Sequence, residues 1–137
     1  MARDYKKIKA WQLADELAIA IYNTTMTFPK EETFGLTSQM RRAGVSVAAN
    51  IVEGSSRQHI KEYLQFLYTA ISSLYEVGYY IDFSHRIGYL QDTEFGKLAP
   101  LHEHTTKTLR ALINYIEKSQ VQSQGSKSKV YGLKSKV

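Results

Sequence analysis

Between Gln58 and Arg86 two apolar series run side by side, and that segment limits the chain to very few architectures. Ile60, Leu64, Leu67, Ile71, Leu74, Gly78 and Ile81 recur at alternating steps of four and three, the spacing of a seam between packed helices. Tyr63, Phe66, Ala70, Ser73, Val77 and Tyr80 repeat the alternation on the adjacent strip. A surface helix of a monomer needs one apolar stripe a little over ~100° wide. The excess has two possible occupants, a second neighbouring helix of the same bundle or a second subunit. No other segment is so broadly apolar and aromatic, so a self-associating binding or scaffold protein is the sharper reading.

Three further segments carry helical periodicity. Trp11, Ala14, Ala18, Ile21 and Tyr22 share a stripe, with Leu13 and Leu17 beside it, which predicts a helix over about 8–27 that ends at Phe28-Pro29. Leu36, Met40, Ala43, Val47 and Ile51 predict a second helix over 36–53, with Gly54 as its stop. The long segment itself spans 58–86 and halts at Gly88. Asp92 or Thr93 can cap a fourth helix over 93–119, carried by Leu98, Thr105, Leu109, Leu112 and Ile116. Pro100 lies in its early turns and predicts a continuous but bent helix. Short connections between the four predict an all-α, up-down-up-down four-helix bundle filling residues 1–120. From Val121 the pattern gives way to Gln, Ser, Gly and Lys, with Ser-Lys-Val at 128–130 and again at 135–137. By composition this is a disordered basic tail over 121–137.

Charge is divided unevenly between these parts. The chain carries +5, but Lys127, Lys129, Lys134 and Lys136 stand in a tail without acids, which leaves 14 basic against 13 acidic side chains in residues 1–120. Attraction for nucleic-acid phosphates therefore rests on those four lysines, or on local clustering such as Arg3, Lys6, Lys7 and Lys9. Cysteine is absent, which excludes disulfides, thiolate metal sites and Cys nucleophiles. No apolar run approaches the roughly 20 residues that cross a bilayer, and the charged start has no apolar export segment behind it. The expected location is the cytoplasm.

The second helix carries the most distinctive polar pattern. Gln39, Arg42, Ser46, Asn50, Glu53 and Arg57 recur at steps of three and four along one line. Their donor forks and amides suit RNA or a partner helix. Flanked by Val45, Val47, Ile51 and Val52, they suit better a buried or interfacial hydrogen-bond network that fixes helix register. Gly44 and Ala48 lie one turn apart and let a neighbouring helix come close. Tyr63, Tyr68, Tyr75, Tyr79, Tyr80 and Tyr89 cluster on or just after the third helix, a residue type favoured at half-polar subunit contacts and also able to stack on bases. Tyr63, Phe66, Ala70, Val77 and Tyr80 are the expected subunit interface.

Signals for chemistry are missing. His102 and His104 are two apart, so a helix turns them to different faces, and no Gly-rich phosphate loop, nucleophile elbow or paired-carboxylate signature occurs. A protein without catalysis, cofactor, metal or small-molecule substrate is expected.

The run Leu36-Thr-Ser-Gln-Met-Arg-Arg-Ala43, then Ser46, Asn50-Ile-Val-Glu-Gly54 and Arg57, resembles the signature of the four-helix-bundle proteins encoded in intervening sequences of bacterial large-subunit (23S) ribosomal RNA genes. Trp11, Ala14, Leu17, Tyr22, Phe28-Pro29 ahead of Gly35-Leu36, and Phe66-Leu67, Ala70, Ser73-Leu74 and Glu76 extend the likeness over about residues 5–119. Val52 stands where alanine is common in that motif. The resemblance implies a bundle that closes into a ring of its own copies, typically five, in a bacterial cytoplasm. A related group, the accessory variability proteins of diversity-generating retroelements, binds a reverse transcriptase and RNA. RNA or an RNA-handling protein is thus the expected partner beside the chain itself. A protein-interaction module with no nucleic-acid role is the alternative, supported by the near neutrality of residues 1–120.

Overall fold

A computed structural model describes the backbone of residues 3–130 and the side chains of residues 3–122. Four helices fill it: α1 (Lys9–Thr25), α2 (Leu36–Ser55), α3 (Ile60–Arg86) and α4 (Asp92–Val130). Each packs against its neighbours in sequence and α4 returns to α1, so the four stand in a ring with α1 diagonal to α3 and α2 diagonal to α4. Short links between consecutive helices make neighbours antiparallel, the up-down-up-down bundle.

The stripes become the core. Ala14, Leu17 and Ile21 meet Met40, Val47 and Ile51, and Leu67, Leu74 and Leu109 complete the interior, all of them essentially without solvent contact. Burial of one such leucine contributes ~2 kcal/mol. Gly88 takes φ +86°, the left-handed turn that lets Gly88 and Ile87 return their N–H groups to the carbonyls of His85 and Phe83 and close α3.

Gly54 does not stop α2, which runs on to Ser55. A Cβ at Gly54 would lie 2.9 Å from Phe66 Cβ and 3.0 Å from Tyr63 Cδ1, so its missing side chain brings α3 close. The end of α2 is closed by the chain's own start: Arg3 donates its backbone N–H to Ser55 O (3.2 Å) and Nη1 to Arg57 O (3.0 Å).

At the other boundaries α1 ends at Thr25, whose hydroxyl turns back to Ile21 O (2.7 Å), while buried Phe28 packs on Tyr89. Helix α4 is continuous through Pro100 and extends past the expected 119 to Val130. Gln and Lys are sound helix formers, so the backbone keeps its turns after the apolar pattern has ended, and Gly125 does not interrupt them. Residues 131–137 lie outside the described residues, as do the side chains of Lys127 and Lys129; the tail reading for Lys134 and Lys136 falls there too.

Candidate functional site

Helix α3 buries both of its apolar series inside one bundle. Leu64, Leu67, Ile71, Leu74 and Ile81 face the centre, and Tyr63, Ala70 and Val77 are as fully buried as they are. Phe66 and Tyr80 are half-buried. The expected subunit contact through Tyr63, Phe66, Ala70, Val77 and Tyr80 is therefore corrected: three of the five have no surface to offer. The reason is the smallness of α2 where it meets α3: Gly54 lies against Phe66 and Tyr63 and Ser46 reaches Ser73, so α3 approaches until its second strip is covered.

The polar line of α2 divides into three parts. In its middle, Asn50 Nδ2 donates to the Ser46 carbonyl (2.8 Å) and hydroxyl (3.0 Å), and Ser46 Oγ lies 3.0 Å from Ser73 Oγ on α3. The three side chains form a relay across the α2–α3 seam that fits only one register. Above it, Gln39 and Arg42 are exposed. Below it, Arg57 stacks on the Phe66 ring (4.7 Å), holds only a 3.7 Å contact with Glu53, and leaves a buried Nε without an acceptor. Asn50 and Glu53 do not join into one network with the arginines.

Small residues work as their spacing suggested. A Cβ at Gly44 would sit 2.9 Å from Ile21 Cδ1, so α1 and α2 also approach closely. His102 fills the hollow above Gly78, with Nε2 2.7 Å from Leu74 O, where the ring nitrogen serves as donor to that carbonyl. His85 stacks on Phe95 (3.9 Å, 12°) and reaches Asp92 Oδ1 at 2.7 Å, tying α3 to the start of α4. Among the described residues no group of three or more His, Asp or Glu is gathered so as to hold a metal ion. No helix there is long and apolar enough to cross a membrane.

Two side faces remain open. On the α1–α2 face, Ile19 and Tyr22 of α1, Met26 just past its end and Val45 of α2 are exposed, and Phe34 projects from the connection, 95% exposed. Arg41 lies over the Tyr22 ring (4.6 Å), donates Nε to Thr25 Oγ1 (2.9 Å) and Nη2 to Tyr22 O (3.2 Å), and fixes that face. Tyr22, Phe34, Arg41 and Arg42 line one shallow hollow.

On the opposite α3–α4 face, Tyr68, Tyr75 and Tyr79 recur at steps of seven and four. Tyr68 donates to Glu117, which raises its phenol pKa, and Arg110 of α4 stands 5.6 Å from the Tyr75 ring centre. Tyr63 differs: burial raises its pKa, and Arg3 over its ring (4.2 Å) partly counters that. The tyrosine cluster was legible in the sequence, whereas the α1–α2 face was not. Helical spacing puts Tyr22 on the core stripe, and Phe34 lies in a connection that no periodicity reaches.

The sequence pattern of the family described as 23S rRNA-intervening sequence protein matches residues 6–111. A solved structure from Bacteroides thetaiotaomicron, a protein of unknown function from the S23 ribosomal protein family, superposes with a TM-score of 0.70 at 22% identity, over 77% of this chain and 95% of that chain. At that identity the likeness establishes the shared bundle. No functionally curated protein matches the chain.

Proposed function

The chain belongs to the 23S rRNA-intervening sequence protein family, and from that premise we propose that it is a non-catalytic, self-associating scaffold or adaptor that contacts RNA or an RNA-handling protein in the cytoplasm. One observation carries the assembly half of this reading: the bundle leaves two unlike apolar faces open on opposite sides. Ile19, Tyr22, Met26, Phe34 and Val45 are all large apolar side chains left exposed on α1, α2 and their connection, and large exposed apolar surface marks interaction sites. A face that met its own copy would give a two-fold pair. Two different faces on opposite sides meet head to tail, and such contacts close into rings when the rotation allows. We therefore assign the α1–α2 face of one copy to the α3–α4 tyrosine face of the next, in place of the buried strip of α3. A ring of five is the form implied by the sequence resemblance.

Light scattering at tens of micromolar tests this. The parent chain is expected to run as a closed oligomer. Phe34→Glu with Val45→Glu on one face, or Tyr75→Glu on the other, is expected to give a folded monomer, and mixing the two kinds of variant cannot rebuild a complete ring. A parent that stays monomeric overturns the assembly, and dissociation by one face alone overturns the head-to-tail arrangement.

A second reading, a protein-interaction module with no nucleic-acid role, is favoured by the balance of 14 basic against 13 acidic side chains in residues 1–120. Purification from the native cell separates the two readings, because only the first predicts an ultraviolet excess from bound RNA that high salt removes.

A further inference from the structure

The near neutrality of the folded part conceals a polarity that only the fold creates. An even number of antiparallel helices brings the start of α1, the end of α2, the start of α3 and the later turns of α4 to one end of the bundle. The basic residues of the chain's beginning are thereby set beside those of the α2–α3 turn and of α4. Residues 3–9, 53–62 and 117–118 hold seven basic and four acidic side chains. At the opposite end, residues 26–42 and 82–97 hold five of each sign.

The two signs are also engaged differently at this pole. Of the four acids, Asp4 accepts the Lys6 backbone N–H (3.1 Å), Glu117 accepts the Tyr68 hydroxyl and Glu53 stands 3.7 Å from Arg57, while Glu62 is exposed and, among the described residues, makes no ion pair. Lys6, Lys7, Lys9, Lys61 and Lys118 are exposed and, among the described residues, make no ion pair. Between them sit two guanidinium groups held rigid on aromatic faces, Arg3 over Tyr63 and Arg57 over Phe66, one turn apart on α3. The Arg3 Nη1 donates to the Arg57 backbone carbonyl (3.0 Å) and each guanidinium rests on a neighbouring ring of α3, so two like charges stand at this pole, with Glu53 in 3.7 Å contact with Arg57. Such a pair costs repulsion that a bound anion offsets.

We propose that this pole is a composite phosphate-binding surface for RNA, built from the start of the chain together with the α2–α3 turn and α4. It rests on the scaffold reading above and gives that reading its nucleic-acid contact, separate from both side faces used for assembly. In a closed ring every copy presents its pole on the same rim, so the charge is multiplied around one circle. The bundle takes part through described side chains. The four lysines that follow in sequence, Lys127, Lys129, Lys134 and Lys136, lie outside the described side chains.

The test is fluorescence anisotropy of the full chain with a labelled single-stranded oligouridine, at two salt concentrations. Five lysine–phosphate contacts predict that raising salt from about 50 to 200 mM weakens binding roughly 100-fold. The triple variant Lys6→Glu, Lys7→Glu, Lys9→Glu is expected to retain helical content and oligomeric state. It should bind far more weakly, with the salt effect reduced to under about tenfold. The double variant Lys61→Glu, Lys118→Glu, with substitutions on two other helices, repeats the test should the triple variant lose its fold. Lys30→Glu with Lys97→Glu at the opposite end is expected to bind as the parent does.

Binding that both pole variants leave unchanged overturns the pole while the RNA reading stands. So does binding that deletion of residues 121–137 abolishes while the pole variants retain it, since the tail alone would then be the contact. A parent chain that binds no oligouridine overturns the RNA reading and the pole together.

Discussion

Replacing Gly54 by alanine adds one methyl group at a close contact between α2 and α3, and the structure fixes what that methyl meets. Phe66 Cβ would lie at 2.9 Å, Tyr63 Cδ1 at 3.0 Å and the Tyr63 carbonyl oxygen at 3.3 Å. The first is the root of its side chain and the third is backbone, so neither moves unless α3 moves. Overpacking of that kind costs about 1–3 kcal/mol. The intrinsic preference of a helix for alanine over glycine returns roughly 0.5–1 kcal/mol. The net expectation is destabilisation by about 1 kcal/mol, the difference spanning roughly 0–2.5 kcal/mol. At a urea slope of ~2 kcal/mol per molar, the midpoint falls by roughly half a molar.

Two other glycines calibrate the reasoning. Gly96 has nothing within 4 Å of its would-be Cβ, so Gly96→Ala should raise the midpoint by the propensity term alone, about 0.5–1 kcal/mol. At Gly44 the one tight contact is the tip of the Ile21 side chain at 2.9 Å, with Ala18 Cα at an ordinary 3.7 Å, so Gly44→Ala should fall between the two. Urea titrations followed by far-ultraviolet circular dichroism, all at one protein concentration because assembly adds to stability, give the order directly. If Gly54→Ala equals or exceeds the parent while Gly96→Ala is stabilised, the close α2–α3 approach does not limit this position. The account of why α3 buries its second strip then fails with it.

The interhelical relay is expected to respond as a modest polar network: Asn50→Ala should lower unfolding free energy by about 1 kcal/mol, and in the Ser73→Ala background it should cost measurably less. Equal costs in both backgrounds in a double-mutant cycle would mean that Asn50 and Ser73 are not coupled through Ser46. Tyrosine ionisation should weaken the fold at high pH. The pKa values of Tyr68 and Tyr89 are raised chiefly by donation to Glu117 and Glu32, and that of Tyr80 by burial and then by Glu76. A folded value above the unfolded one means that the stabilisation is whole below about pH 10 and is lost as pH rises through the folded pKa. Urea midpoints taken across that range should fall, less steeply in Tyr68→Phe; a flat profile through the tyrosine titration would refute the assignment.

Much of the bundle can be read from period alone, because Met40, Ala43, Val47 and Ile51, or Leu64, Leu67, Ile71 and Leu74, are where a 3.6-residue repeat places a core. Errors arise where the stripe drifts or where a neighbour decides. Tyr22 continues the α1 pattern by spacing, but it lies beyond the core-facing arc and stacks under Arg41 instead. Ile113, absent from the predicted stripe of α4, is buried, whereas Leu112 is only partly so. Gly54 reads as a helix stop because glycine so often is one, and nothing local reveals that Phe66 and Tyr63 press against it. The same long-range fact decides the breadth of α3. An apolar strip looks identical in sequence whether a helix or another subunit covers it, and the small side chains that settle the question lie on α2.

Charge obeys the same logic. Read along the chain, Lys6, Lys7 and Lys9 stand more than fifty residues from Lys61, with Lys118 further still, and the acids between them make the folded part look inert toward phosphate. A bundle with an odd number of helices would have sent the two ends of the chain to opposite poles and left each cluster alone. Four antiparallel helices return α4 to the start of α1, and the contact of Arg3 with the end of α2 binds the first residues to that same pole. Net charge, a sum without positions, cannot register this. The topology converts an almost neutral domain into one with a charged end, two apolar flanks and a balanced far end. A ring built through the flanks leaves the charged end free. For that reason assembly and phosphate binding should separate by mutation: side-face variants weaken RNA binding only through the loss of the shared rim, whereas pole variants weaken it with the ring intact.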